Sequence, residues 1–185
     1  MIYIVRHGET DWNVLGKVQG SKDIPLNENG RRQALLTKSE LDNKEIDLII
    51  ASPLKRAKET AEIINRGRNL PMIIDDRIRE RSFGEFEGEE FTVLDTKPFW
   101  DYYINEEYEE AESVQEFFKR VYDFLDDITV KYKDKNVLLV THGGVSLPVH
   151  CYFNKMIPEG SLIDANIMLD NCQVKEFEKE DLWFQ

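Results

Sequence analysis

Residues 2–8 read IYIVRHG and residues 137–144 read VLLVTHGG. Each is a short apolar run that ends in a histidine followed by glycine. Runs of this length, rich in Val and Ile, read as strands buried on both faces. Residues 46–50 and 72–74 have the same character. Between these runs the apolar spacing turns helical, over 31–41 and again over 54–64. For the second helix Ser52 is the expected N-cap and Pro53 the first helical position. Leu54, Ala57, Ala61 and Ile64 would be its inward stripe. A longer helix is expected from Ser113, with Glu116 completing a capping box and Val114, Phe117, Val121, Leu125 and Ile128 facing inward. The tail over 166–177 suggests one or two further strands. Strands alternating with helices predict an α/β fold: a three-layer sandwich whose mostly parallel central sheet carries helices on both faces. In such a sheet, sites form beyond the carboxyl ends of the strands.

The 185 residues suit one domain, 1–185, with room for a sizeable core. No apolar stretch is long enough to cross a bilayer, and the N-terminus lacks a signal peptide's basic lead and cleavage site, so a cytoplasmic protein is expected. Cys151 and Cys172 form no CxxC and are expected to be reduced thiols. The formal net charge of −12 argues against nucleic acid and anionic membrane as partners. An anionic small molecule would therefore need a local cluster of positive groups.

Residues 83–112 break the alternation. They are rich in Phe, Tyr, Trp and Glu without clear periodicity, and from Asp101 to Glu116 there are seven acidic residues and no Lys or Arg. One reading is a solvated excursion; the other is a lid over a site. Phe99, Trp100, Tyr102 and Tyr103 are read as packing, not as a stacking platform for bases.

The two histidines mark equivalent places, each at a strand's carboxyl end. Glycine after each lets backbone approach a ligand closely, and a following helix would present free N–H groups to an anion. A lone histidine is more often structural; two at matching strand ends, one beside Arg6, point to function.

The run RHGETDWN, residues 6–13, resembles the signature of the histidine phosphatase superfamily, which includes cofactor-dependent phosphoglycerate mutase. Further blocks resemble the family in order: Gln19-Gly20 with Asp23-Ile24-Pro25-Leu26 and Gly30; Ser52-Pro53-Leu54-Lys55-Arg56-Ala57 with Thr60; Arg79-Glu80 with Phe83-Gly84 and Glu87-Gly88; and Thr141-His142-Gly143. The triplet alone would be weak, but five ordered blocks across most of the chain are specific.

The resemblance implies the following roles. His7 is the nucleophile that forms a phosphohistidine, splitting one difficult displacement into two easier ones. Arg6, Arg56 and His142 surround the phosphoryl oxygens, with Asn13 and Gly143 as further phosphate contacts. The charge on those oxygens is what such a site must stabilise. Glu80 is the general acid for the leaving oxygen and then the base for water, which calls for a raised pKa; Glu9, Glu85 and Glu87 are its nearby rivals. His7 is expected neutral beside two guanidinium groups, and His142 is expected to be a cationic donor. His150 is read as packing or surface. Three histidines without HxxxH or HExxH spacing, and two distant cysteines, offer no metal ligand set, and no cofactor is implied.

The expected activity is hydrolysis of a small phosphate monoester. Phosphoglycerate mutase is the alternative within enzymes. Mutases resemble longer chains, and the segment here between the acidic motif and the second histidine is short, acidic and poor in basic residues. A non-catalytic phospho-ligand-binding member is the alternative outside enzymes, disfavoured because Arg6, His7, Arg56, Glu80 and His142 are all present. Oligomeric state is open.

Overall fold

The computed structural model describes residues 1–161 and 167–179. Strands β1 (Ile2–Arg6), β2 (Leu48–Ala51), β3 (Met72–Ile74), β4 (Val137–Thr141) and β5 (Val174–Phe177) form one sheet in the order β3-β2-β4-β1-β5. All neighbours pair in parallel except β5, which runs antiparallel to β1. Helices α1 (Asp11–Val14), α2 (Glu28–Glu40), α3 (Lys55–Asn65), α4 (Thr96–Phe99), α5 (Val114–Lys131) and α6 (Ser146–Phe153) complete the described elements with several short 3-10 turns.

Alternation along the strands sorts the core into two layers. Ile2, Ile4, Leu48, Ile50, Val137 and Leu139 face one way and pack against α5 and α6 through Phe117, Val121, Leu125, Leu147 and Val149. Tyr3, Val5, Ile49, Ala51, Leu138 and Val140 face the other way, against Ala61 and Ile64 of α3 and Leu41 beyond α2. This is the three-layer arrangement the pattern predicts. The Ser113 cap with Glu116 forms as a full capping box, and the five residues expected to face inward on α5 are all buried.

Local departures have identifiable causes. Helix α3 starts at Lys55, not at Pro53. Ser52 does not cap it, because the Lys55 N–H donates instead to Asp23 Oδ1 at 2.7 Å. That partner is remote in sequence, so no local pattern reveals it. Leu54, expected on the inward stripe, precedes the helix and is only half-buried, whereas Ala57, Ala61 and Ile64 are buried. Strand β3 is not covered on both faces: it is the sheet's edge, and Ile73 and Ile74 are exposed. Helix α2 begins three residues earlier than the spacing suggests, capped by Asn27 onto the Gly30 N–H. One tail strand, β5, is present; the start of that stretch lies outside the described residues.

The 83–112 excursion divides. Its first part is built into the core: Phe83, Leu94, Phe99 and Trp100 are buried, with Phe83 stacked on Phe99 at 4.7 Å and edge-on to Trp100 at 5.9 Å. Its second part carries the acids outward, with Glu106, Glu107, Glu109 and Glu110 exposed. The solvated reading therefore holds only for the second part. Arg81, fully buried, ties the segment down. Its guanidinium donates to the Phe99 and Glu112 carbonyls at 2.5 and 2.8 Å and lies 3.7 Å over the Phe99 ring.

Candidate active site

The parallel pairing of β1 with β4 sets Arg6 opposite Thr141. It follows that the next residues, His7 and His142, leave the sheet side by side. The His7 N–H donates to the Thr141 carbonyl at 2.8 Å, and the two imidazoles meet edge to face with centroids 5.3 Å apart. Ser52, at the end of β2, bonds its hydroxyl to His142 Nε2 at 2.7 Å. Three adjacent parallel strands thus deliver His7, His142 and Ser52 to one carboxyl edge, where α/β sheets place their sites.

A small cavity of about 80 Å³ opens there, lined by Arg6, His7, Asn13, Arg56, Glu80 and Gly143 among others. His7 is buried, and its Nδ1 lies 2.7 Å from the Gly8 carbonyl, an acceptor only. Nδ1 must therefore carry the proton, which leaves the Nε2 lone pair free. Burial first, then the Arg56 and Arg6 guanidinium groups, hold His7 well below the ordinary 6.5.

Arg56 is fully buried in the first turn of α3 and donates to the Lys22 and Gly20 carbonyls at 2.6 and 2.8 Å. Burial brings its pKa down to about 10, so the guanidinium stays charged at neutral pH. Its Nε, like the Nε of Arg6, is buried without a partner among the described residues. Arg6 is fixed by a 2.7 Å bond to the Leu169 carbonyl. Two desolvated cations with unpaired N–H groups favour an anion between them. Asn13 closes a capping box on Thr10 through its Oδ1, which leaves its amide nitrogen for a ligand.

Glu80 enters from the segment after β3. Its carboxylate accepts the Gly144 N–H on Oε2 and the Arg81 N–H on Oε1, each at 3.0 Å. Loss of solvation raises its pKa above 4.5, against the opposing pull of those two N–H groups, Arg56 and Arg6. The rival acids are occupied elsewhere: Glu9 accepts from Asn27 and Asn29, Glu87 accepts from Ser21 and Phe83, and Glu85 is exposed. His150 stands apart from the cavity, its Nδ1 against Lys175 Nζ at 2.7 Å.

His142 departs from expectation. Burial, then Arg56, His7, Arg6 and Arg120, push its pKa well below 6.5. The protein's own charges thus favour a neutral His142, not the cation expected from sequence. Only an added negative charge beside the ring opposes them.

A model of the histidine phosphatase superfamily (branch 1) matches residues 2–182. The chain belongs to this superfamily. Its enzyme class is phosphoric monoester hydrolase. The chain is 41% identical over 182 residues to the Bacillus subtilis protein named "Uncharacterized phosphatase PhoE", covering 98% of this chain and 90% of that one. It is 31% identical to "Probable phosphoglycerate mutase GpmB" of Yersinia pestis, over 97% of this chain and 85% of the relative. Among solved structures, Entamoeba histolytica phosphoserine phosphatase in complex with 3-phosphoglyceric acid superposes with a TM-score of 0.80 at 28% identity. That match covers 94% of this chain and 87% of that one.

Sequence reasoning missed three parts of the histidine phosphatase site. Ser52 was read as a helix cap and instead bonds to His142. Arg81 is the buried arginine beside Glu80, whereas Arg79, the one in the family-like block, pairs with Asp76 at the surface. Gly144 is confined on its Cα side, since a Cβ there would lie 2.3 Å from Glu80 Oε1 and 2.9 Å from Trp100. Its adjacency to Gly143 in the second motif is the only signal the sequence carries.

Proposed function

We propose that this chain hydrolyses a small phosphate monoester through a phosphohistidine formed on His7 Nε2. The observation that carries the reading is the His7 environment: Nδ1 fixed on the Gly8 carbonyl, the ring held neutral, and the guanidinium groups of buried Arg56 and half-buried Arg6 alongside. Neutral imidazole is the nucleophilic form, and the cations meet the charge of the phosphoryl oxygens. Arg6 and Arg56 bind those oxygens, with Asn13 Nδ2 and the Gly143 backbone as further contacts. The phosphoryl dianion supplies the negative charge that lets His142 bind as a protonated donor.

Glu80 gives its proton to the leaving oxygen and then takes one from the water that attacks the phosphohistidine. A raised pKa suits the first step, and two N–H bonds to the carboxylate suit the second. The aromatic part of the 83–112 segment serves as a lid, with buried Phe83 and Trp100 and exposed Phe91 lining the cavity. Both thiols are buried and free, which fits work in a reducing cytoplasm. Among the described residues no helix is long and apolar enough to cross a membrane.

The test is phosphate release from p-nitrophenyl phosphate by the native chain and by His7→Ala. The account expects release from the first and a loss of at least ~10³-fold in the second, the scale of removing a covalent nucleophile. Equal rates would remove it. Conversion of 3-phosphoglycerate to 2-phosphoglycerate without phosphate release would select the mutase alternative.

A further inference from the structure

We infer that Asn171 is a positioning residue of the nucleophile: with Thr60 it locks the His7–Gly8 peptide, and through that peptide it keeps the His7 proton on Nδ1 and Nε2 open for attack. The inference rests on the reading of His7 as the nucleophile and deepens it. The family-like blocks of the sequence end at Gly143, so nothing in them points to residues 169–172.

Glycine at position 8 gives the backbone there unusual freedom, so the peptides beside it need anchors from elsewhere in the chain. The His7–Gly8 peptide has one at each polar end. Its carbonyl accepts from Asn171 Nδ2 at 2.9 Å, and its N–H donates to Thr60 Oγ1 at 3.1 Å. Thr60 is fully buried and gives its own proton to the Arg56 carbonyl at 2.7 Å, which leaves an oxygen lone pair for the Gly8 N–H. The Asn171 amide must present its nitrogen here. Its second neighbour, Asn13 Oδ1 at 3.5 Å, is also an acceptor, already bonded to the Thr10 N–H.

The next peptide holds the ring. Its carbonyl, that of Gly8, takes the His7 Nδ1 proton at 2.7 Å. A single Cα separates this carbonyl from the pinned unit, and each peptide turns as a rigid plane. Freeing the His7–Gly8 peptide would therefore let the acceptor swing away from the imidazole. Without it the ring could place its proton on Nε2, the nitrogen that must stay unprotonated to attack phosphorus.

The turn that carries Asn171 is braced against the same strand. The Leu169 carbonyl accepts from the Arg6 guanidinium at 2.7 Å, and the Cys172 N–H donates to the Arg6 carbonyl at 3.0 Å. That N–H also lies 3.4 Å from the His7 carbonyl, a longer, shared contact, so Asn171 is the closer donor. Cys172 has φ +60, uncommon outside glycine, and its carbonyl is held by the Thr37 hydroxyl at 2.9 Å. The Leu169 N–H donates to Ser146 Oγ, whose hydroxyl donates to the Gly143 carbonyl. One turn thus joins the two histidine motifs.

Asn171→Leu keeps the approximate shape and removes the donor; Asn171→Ala removes both. Gln173→Ala breaks only the turn's own bond from the Asp170 N–H, 2.8 Å in the native chain, and controls for local damage. Each variant is measured for hydrolysis of p-nitrophenyl phosphate, for inhibition by inorganic phosphate, and by imidazole ¹⁵N spectra of histidine-labelled protein at neutral pH without ligand. The chain has three histidines, so comparison with His7→Ala identifies the His7 signals. We expect kcat/KM to fall about tenfold in both Asn171 variants, the scale of one hydrogen bond, with the phosphate inhibition constant within about twofold. The His7 signals should move from the Nδ1-protonated form to a mixture of both tautomers, and Gln173→Ala should match the native chain throughout. A merely structural role would lower the amount of folded protein and leave the tautomer as it is. An unchanged tautomer in both Asn171 variants, native kcat/KM in both, or an equal loss in Gln173→Ala overturns the assignment of Asn171. A native chain that hydrolyses no ester overturns the phosphatase reading instead, and the ¹⁵N spectra still decide whether Asn171 holds the ring.

Discussion

Replacing Gly144 by alanine should separate proton donation from phosphate binding. The glycine's backbone does not require positive φ, so alanine meets no backbone strain there; the obstacle is steric. The added methyl would lie 2.3 Å from Glu80 Oε1, 2.9 Å from the Trp100 ring and 3.1 Å from Glu80 Cδ. Ordinary carbon–oxygen contact begins about 1 Å farther out, so the carboxyl group must move by roughly that distance. Its 3.0 Å bond from the Gly144 N–H would stretch as it moves. A misplacement of ~1 Å in a catalytic group costs on the order of 10²-fold, or about 2.7 kcal/mol of barrier. The His7 end of the cavity is untouched. The loss should therefore depend on the leaving group. An alkyl phosphate, whose alkoxide needs a proton, should lose on the order of 10²-fold in kcat/KM. An aryl phosphate with a stable phenolate should lose at most a few-fold. Steady-state kinetics on both esters, with circular dichroism to confirm the fold, gives the comparison. Equal losses on the two esters, or no loss on either, would refute the placement of Glu80 as proton donor.

Ser52→Ala removes the 2.7 Å bond to His142 Nε2; a drop of about tenfold in kcat, with less change in KM for the phosphate ester, is expected from one lost neutral hydrogen bond to a positioned ring. Arg81→Met should lower stability by roughly 2–4 kcal/mol in urea titration, because the Phe99 and Glu112 carbonyls lose their donor; an unchanged midpoint would contradict the role given to Arg81. Acidification should destabilise the fold through the histidines. Their folded pKa values lie well below the unfolded 6.5, so the unfolded chain binds more protons over that interval and stability falls as pH drops below 6.5. Glu80, raised above 4.5, acts with the opposite sign, so urea midpoints at pH 7 and pH 5 for the native chain and His142→Asn should show the smaller acid-side loss in the variant.

The layers of the fold were legible because burial on two faces leaves near-continuous apolar runs, as in 2–5 and 137–140, and because α5 keeps helical spacing behind a local capping box. What sequence could not show depends on partners far along the chain. The α3 start is capped by Asp23, and Ser52 is thereby released to meet His142 across the sheet. The edge position of β3 follows from strand order, which its three apolar residues do not encode. In the site, residue identities were readable from the blocks but charge states were not. A histidine's protonation depends on its burial and on the cations packed around it, and desolvation, with Arg56 and Arg6 alongside, reverses the expectation for His142. The 83–112 segment misled because composition does not separate inward aromatics from outward acids. Arg81 marks that division by bonding to Phe99 in the aromatic part and to Glu112 at the far end of the acidic part.

The central claim is a covalent phosphoryl group on His7. Rapid-quench single turnover with a ³²P-labelled monoester, followed by peptide mapping under alkaline conditions that preserve phosphohistidine, measures it directly. The account predicts acid-labile, alkali-stable label on the peptide containing His7, rising before phosphate is released and absent from His7→Ala. Full turnover without label on the protein, or label on any other residue, would contradict it.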